Sequence, residues 1–281
     1  MGLRINTNIP ALVAQRNLRN TRGALDKTLE RLSSGSRINH AGDDAAGLAI
    51  SESLRAEIRG LGQTERNSQD GISLVQVAES ALGEISNIVI RMRELAVQAA
   101  SDTVGPTERG FLDREYQQMM EEIDRISNST EFNRVPLLNG TANMFEVQVG
   151  THNNPTVDRI KLFDASSADV NVVALGINLS SVADKANAQN SLAALDTALN
   201  QVVSTRASFG AIQNRLQSVI ANIQISKENL SAANSRIRDA DLAEETSELT
   251  KNQILMQSGT AVLGQANSTV KSVLSLLGNP G

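Results

Sequence analysis

Leu195, Val202, Phe209, Leu216, Ile223 and Leu230 fall every seven residues without a break. An α-helix brings positions seven apart almost onto one line, so this series is an apolar stripe that needs a partner helix to cover it. Leu192 and Leu199 widen the stripe early, and Ile212 and Val219 widen it later. A second seam steps alternately by three and four through Val75, Ala78, Leu82, Ile85, Val89, Met92, Ala96 and Ala99. A third, shorter one between Arg109 and Ser127 carries Leu112, Met119, Ile123 and Ile126. The period predicts a mainly α fold: a long antiparallel helical hairpin, or coiled-coil rod, with left-handed packing.

Both ends of the chain repeat the pattern. Leu18, Leu25 and Leu32 are spaced by seven, with Leu29 alongside, and so are Met256, Leu263, Val270 and Leu277, with Ala266 and Val273 between them. Each end therefore predicts an amphipathic helix. Such a helix alone in water is marginal, because helical stability in proteins comes mostly from packing the apolar face. Each end is the obvious partner of the other.

The pattern changes in the middle. Phe145, Val147 and Val149 alternate with Glu146 and Gln148, and Ile160 and Leu162 alternate with Arg159 and Lys161. With turn formers at Asn139-Gly140 and Asn153-Asn154-Pro155, this predicts a β-hairpin within about 139–173, followed by a strand through Val170 and Val172. The expected organisation is an inner terminal coiled-coil domain of residues 1–44 plus 239–281 and an outer rod domain of residues 45–238.

Composition excludes several classes of function. There are five Phe, one Tyr and no Trp, so the core must come from aliphatic side chains. Cysteine is absent, which removes thiolate catalysis, disulfides and Cys-ligated zinc. The net charge is −5 and no Lys/Arg run marks a nucleic-acid footprint. The longest charge-free stretch, Asn252 to Val270, is rich in Gln, Ser, Thr, Asn and Gly, too polar to span a bilayer. The opening residues lack the continuous apolar run of a cleaved secretory signal. We expect no nucleic-acid or membrane partner, no cofactor and no enzyme activity.

The stretch "LSSGSRINHAGDDAAGLAIS", Leu32 to Ser51, holds His40, Arg37 and the pair Asp43-Asp44. Its place between two helical patterns reads as a joint. The aspartates precede the next helix, where a carboxylate accepts orphan N–H groups and faces the positive end of the dipole. Neither His40 nor His152 has the spacing of a metal or catalytic motif, and catalytic or metal-ligating residues are therefore assigned nowhere. "SRIRDADLAEE", Ser235 to Glu245, echoes "SRINHAGDD" and separates the other end helix from its seam. In an antiparallel hairpin the two segments meet at one height, where Arg37, Arg236 and Arg238 are expected to pair with Asp43, Asp44, Asp239 and Asp241.

"LSSGSRINHAGDDAAGLAISESLR", "ERNSQDGISLVQVAESAL", "RMRELAVQAAS", "EIDRISNSTEFN" and "SRIRDADLAEETSELTKNQILMQSGTAVLGQAN" together resemble bacterial flagellin over both halves of the chain. The resemblance implies a subunit exported unfolded by the flagellar type III system and polymerised into the flagellar filament for motility, secreted and extracellular, with a periplasmic filament left open. It makes Leu18, Leu25, Leu32, Met256, Leu263, Val270 and Leu277 the polymerisation seam and Arg37, Asp43, Asp44, Arg236 and Arg238 the joint. Its partners would be further copies of the chain, an export chaperone, the filament cap and hook-junction proteins. It also implies recognition by a host Toll-like receptor through Arg91, Leu95 and Glu115, although Ile90 stands where activating members usually carry Gln. The short middle marks a form without variable outer domains. Two other readings compete: a hook–filament junction protein, and a cytoplasmic chemoreceptor-like signalling hairpin, which would lack the β-hairpin.

Overall fold

The computed structural model describes residues 7–141, 144–163 and 168–277, with side chains through residue 269. Among them the chain forms helices α1 (Ile9–Ser34), α2 (Ala45–Ala99), α3 (Pro106–Ser129), α4 (Lys185–Arg238) and α5 (Leu242–Leu277). Two antiparallel hairpins lie between α3 and α4: β1 (Glu131–Phe132) with β2 (Val135–Pro136), and β3 (Phe145–Gln148) with β4 (Arg159–Phe163). The fold is mainly α, as the heptads predict. The chain divides into a terminal unit, up to Ala56 and from Asn229 onward, and a central unit, Glu57–Glu228.

In the central unit both long seams face inward. Every residue of the Val75–Ala99 series is at most 1% exposed, and so are Leu195, Val202, Phe209 and Leu216 on the facing helix. All belong to one apolar cluster. The helices run antiparallel, as the ion pairs along their edges show: Arg93 meets Asp196, Arg206 meets Glu79, and Lys227 meets Glu65. These pairs are half in solvent and worth little singly; burial of the aliphatic seam supplies the stability. Pro106 opens α3, where a missing N–H costs nothing. Arg109 donates to the carbonyls of Ala99 and Ser101 (both 2.8 Å), so α3 folds back along α2.

Tyr116, the single tyrosine, is fully buried in α3, and its hydroxyl is 2.7 Å from that of Ser180. Burial pushes its phenol above the ordinary tyrosine value. The folded chain holds the proton to higher pH than the unfolded chain, so the stabilisation is complete below the ordinary tyrosine range and is lost as pH climbs toward the folded value. With no Trp and no other Tyr, phenolate absorbance reads this residue alone. An alkaline titration should show a midpoint above that of the urea-unfolded chain, with loss of helix over the same interval. Coincident native and unfolded titrations would mean that Tyr116 is not enclosed.

The hairpin β3–β4 forms as expected, pairing Glu146 with Lys161 and Gln148 with Arg159. Phe145, Phe163 and Phe209 stack at centroid distances of 5.1 and 5.0 Å, joining hairpin to α4. Beyond β3, the N–H groups of Val149 and Gly150 both donate to the Asp158 carbonyl (2.7 and 3.1 Å). A Cβ on Gly150 would lie 1.9 Å from Asp158 Oδ1, so only glycine fits.

The expected strand through Val170 and Val172 is absent. Both side chains are buried, but the segment follows α3 without a ladder. Val172 N donates to Asp124 Oδ1 (2.8 Å) and Val170 N to the Leu138 carbonyl (3.1 Å), so its donors go to a side chain and a loop. Hairpin β1–β2 carries no alternation long enough to be read in sequence. Its turn places Asn133 and Arg134 at φ of 51° and 64°. Turns of this handedness match strand twist, and arginine is an uncommon occupant of that region.

Candidate functional site

In the terminal unit α1 packs along α5. Asn8 caps α1 by accepting from Ala11 N (3.1 Å), and its Nδ2 donates to the Ala266 carbonyl (3.0 Å). Asp241 caps α5, accepting from Ala243 N (2.8 Å). Leu18, Leu25, Leu32, Met256 and Leu263 line the contact half-buried. Val270 and Leu277 of the expected seam lie outside the described side chains. Gly259 permits the closest approach: a Cβ there would lie 2.9 Å from Leu18 Cδ2. The buried Glu245 receives Arg31 at 3.2 Å, a pair that heptad counting does not reveal.

What this pairing leaves uncovered matters as much. Ile9, Leu12 and Val13 are 55, 58 and 41% exposed on α1, and Ile254, Leu255 and Val262 are 58, 47 and 58% exposed on α5. Each helix of the pair thus has a second apolar face toward solvent. Scattered apolar side chains are ordinary on a surface, but grouped ones at helical spacing mark a face awaiting a partner.

The two echoing segments meet at the joint. Gly35 ends α1 in the left-handed region (φ 68°), where glycine alone is free of Cβ strain, and its N–H closes on the Arg31 carbonyl at 2.8 Å. Ser36 and Asp239 form a β-bridge, with Arg37 N donating to the Arg238 carbonyl (2.6 Å) and Ala240 N to the Gly35 carbonyl (3.0 Å). Asp44 is the cap of α2, accepting from Gly47 N at 2.9 Å. Asp43 instead accepts from His40 N (3.1 Å) and Asn39 N, and the His40 N–H holds its carboxyl below the usual range. Exposed His40 faces Glu30 (3.0 Å).

The ion pairs expected between the joint arginines and aspartates do not form among the described residues. Arg238 takes Glu52, one turn into α2, and holds its carboxyl below the usual range. Arg37 donates to the Ile237 carbonyl (2.8 Å), and Lys27 faces Asp43 (3.7 Å). Asp43, Asp44 and Asp241 are engaged by backbone N–H groups, which need no ordering of a long side chain. Ile38 was not singled out by sequence. It is 1% exposed and packs against Gly47, making it the apolar pin of the joint.

On the central unit, the structure brings Arg91 and Glu115 together but not Leu95 with them. Arg91 donates to Glu115 (2.8 Å) and Glu94 (2.9 Å), which raise its already high pKa. Leu95 is 1% exposed and lies in the core. Seam position, not proximity in sequence, decides its role. No group of three or more acidic or His side chains among the described residues is placed to hold a metal, and no described helix is long and apolar enough to cross a membrane.

Residues 5–143 match the family model for the bacterial flagellin N-terminal helical region, and residues 192–277 match that for the bacterial flagellin C-terminal helical region. The chain is 46% identical to a flagellin of Halalkalibacterium halodurans over 97% of its own length and 99% of that protein. The chain belongs to the bacterial flagellin family. It is 45% identical to a Bacillus subtilis flagellin over 98% of this chain and all of that one. It is 42% identical to a flagellar filament 33 kDa core protein of Treponema phagedenis over 97 and 99%. Among solved structures, Bacillus cereus flagellin matches with a TM-score of 0.50 at 36% identity, covering 60% of this chain and 94% of that one. Aligning over 97 and 98% of its residues with nearly all of these two flagellins, the chain is a flagellin of the short form.

Proposed function

We propose that this flagellin is the subunit of a bacterial flagellar filament, with the α1–α5 pair as its polymerisation core and the central unit as its outer part. The observation that carries the reading is the pair of uncovered apolar faces on α1 and α5, which an isolated chain leaves in water. Stacking further copies would bury them, and self-association of this kind generates an open helical array when the contact is heterologous. The β3–β4 hairpin weighs against a chemoreceptor-like signalling hairpin.

Export unfolded through the flagellar type III system, into an extracellular or periplasmic filament, follows from the same reading. The thin aliphatic seam of the terminal pair suits it, since few buried side chains hold α1 and α5 together. Arg91 and Glu115 offer an exposed polar surface to a Toll-like receptor, and Leu95 holds that surface from beneath. Chaperone, cap and hook-junction partners would engage the terminal helices.

Seeded assembly tests the proposal. Full-length chain, mixed with sheared filament fragments, should sediment as filaments visible by electron microscopy. The chain lacking residues 1–34 should stay in the supernatant. Filament growth by the truncated chain would overturn the assignment of α1 to the polymerisation core.

A further inference from the structure

Asn139-Gly140 is the only Asn-Gly dipeptide in the chain, and it lies where β2 leads toward β3. The geometry points to a self-modifying site: Asn139 cyclises onto the Gly140 nitrogen, releases ammonia and leaves aspartate or isoaspartate at this position.

Two donors converge on the carbonyl that must be attacked. Asn139 Oδ1 accepts from Thr141 N at 3.1 Å and from Thr141 Oγ1 at 2.6 Å. The backbone donor fixes the amide's orientation, since an Nδ2 could not accept there. Both donors polarise Cγ and would stabilise the oxyanion that forms when a nucleophile adds to it, as donors do in acyl-transfer sites. The ring closed by the Thr141 N–H bond also folds the side chain over the Asn139–Gly140 peptide, whose nitrogen is the nucleophile. Proximity of this kind makes the step intramolecular.

The fold requires glycine here for its own reasons. Gly140 has φ of 73°, and a Cβ on it would lie 2.5 Å from Asp169 Oδ2. The chain therefore places the peptide nitrogen of a residue without a side chain beside an amide whose carbonyl takes two donors. Asparagines in the helices, such as Asn67 or Asn234, precede N–H groups committed to helical hydrogen bonds, so the same attack is closed to them.

The chemistry balances with water alone. Gly140 N bonds to Asn139 Cγ, the Cγ–Nδ2 bond breaks, and Nδ2 leaves as ammonia with the proton from Gly140. Water then opens the cyclic imide at either carbonyl. Opening at one gives aspartate; opening at the other gives isoaspartate, which routes the main chain through the side chain. Either product adds a negative charge close to Asp169. The isoaspartate also lengthens the backbone next to Leu138, whose carbonyl holds both Ser127 Oγ (2.8 Å) and Val170 N (3.1 Å).

The test uses full-length folded chain incubated at neutral pH and physiological temperature. The tryptic peptide Val135–Arg159 is followed by mass spectrometry, with fragment ions locating the change and chromatography separating the two acids. Conversion should occur at Asn139, not at Asn143, Asn153 or Asn154, and should be faster in the folded chain than in the same chain held in denaturant. Thr141→Val removes the hydroxyl donor and keeps the N–H. It should slow conversion about tenfold, less than the loss seen for an enzymatic oxyanion donor because one donor remains. Conversion in the folded chain no faster than in denaturant, or a Thr141→Val rate equal to that of the parent, would overturn the inference.

Discussion

Leu12→Asp should leave the isolated chain as helical as the parent and stop it from adding to filament seeds. Leu12 is 58% exposed and shares the exposed apolar side of α1 with Ile9 and Val13. An aspartate there stays in water in the free chain, where a surface change costs within about 0.5 kcal/mol. On assembly the leucine would lose its water, a gain of about 1.5–3 kcal/mol. The aspartate forfeits this and adds a desolvation penalty. A combined loss of about 3 kcal/mol or more raises the concentration needed for growth by roughly a hundredfold. Seeded sedimentation across a concentration series, beside circular dichroism of the monomer, measures both halves. Growth at the parent's concentration would remove this face from the polymerisation core.

Phe209→Ala should be the most damaging single truncation in the central unit. The ring is 1% exposed, and its centroid lies 5.0 Å from that of Phe163, which packs in turn on Phe145. In a chain with five phenylalanines, three meet at this point, so the rest of the core has no comparable side chain to move into the space. Phe→Ala in a core costs about 3–5 kcal/mol through lost burial and the cavity left behind. For a unit of this size that lowers the melting midpoint by about 6–20 °C. Val203→Ala, six residues earlier and 51% exposed, should shift it little. Equal shifts for the two variants in thermal melts would show that the aromatic stack does not tie the hairpin to α4.

The heptads made the helices legible because a seven-residue period states which side chains must leave water, whatever covers them. That is why the Val75–Ala99 series is entirely buried and why Leu95, which borders it, is buried with it. The hairpin was legible for the same kind of reason, a period of two between turn formers. The caps at Asp44 and Asp241 follow from local backbone demand. Each of these depends on neighbours within a few residues.

Choices between distant partners were decided by tertiary structure alone. Arg238 selects Glu52 over Asp43 and Asp44, whose oxygens backbone N–H groups have already claimed. Ile38 becomes buried only because Gly47 leaves room for it, and Gly259 matters only because Leu18 lies opposite. The Val170–Val172 segment has a strand's composition but no strand partner, so its donors go to Asp124 and Leu138. A linear pattern records how much surface a side chain wants to hide; which atom it hides against depends on the relative placement of elements tens to hundreds of residues apart, and that is a property of the folded chain.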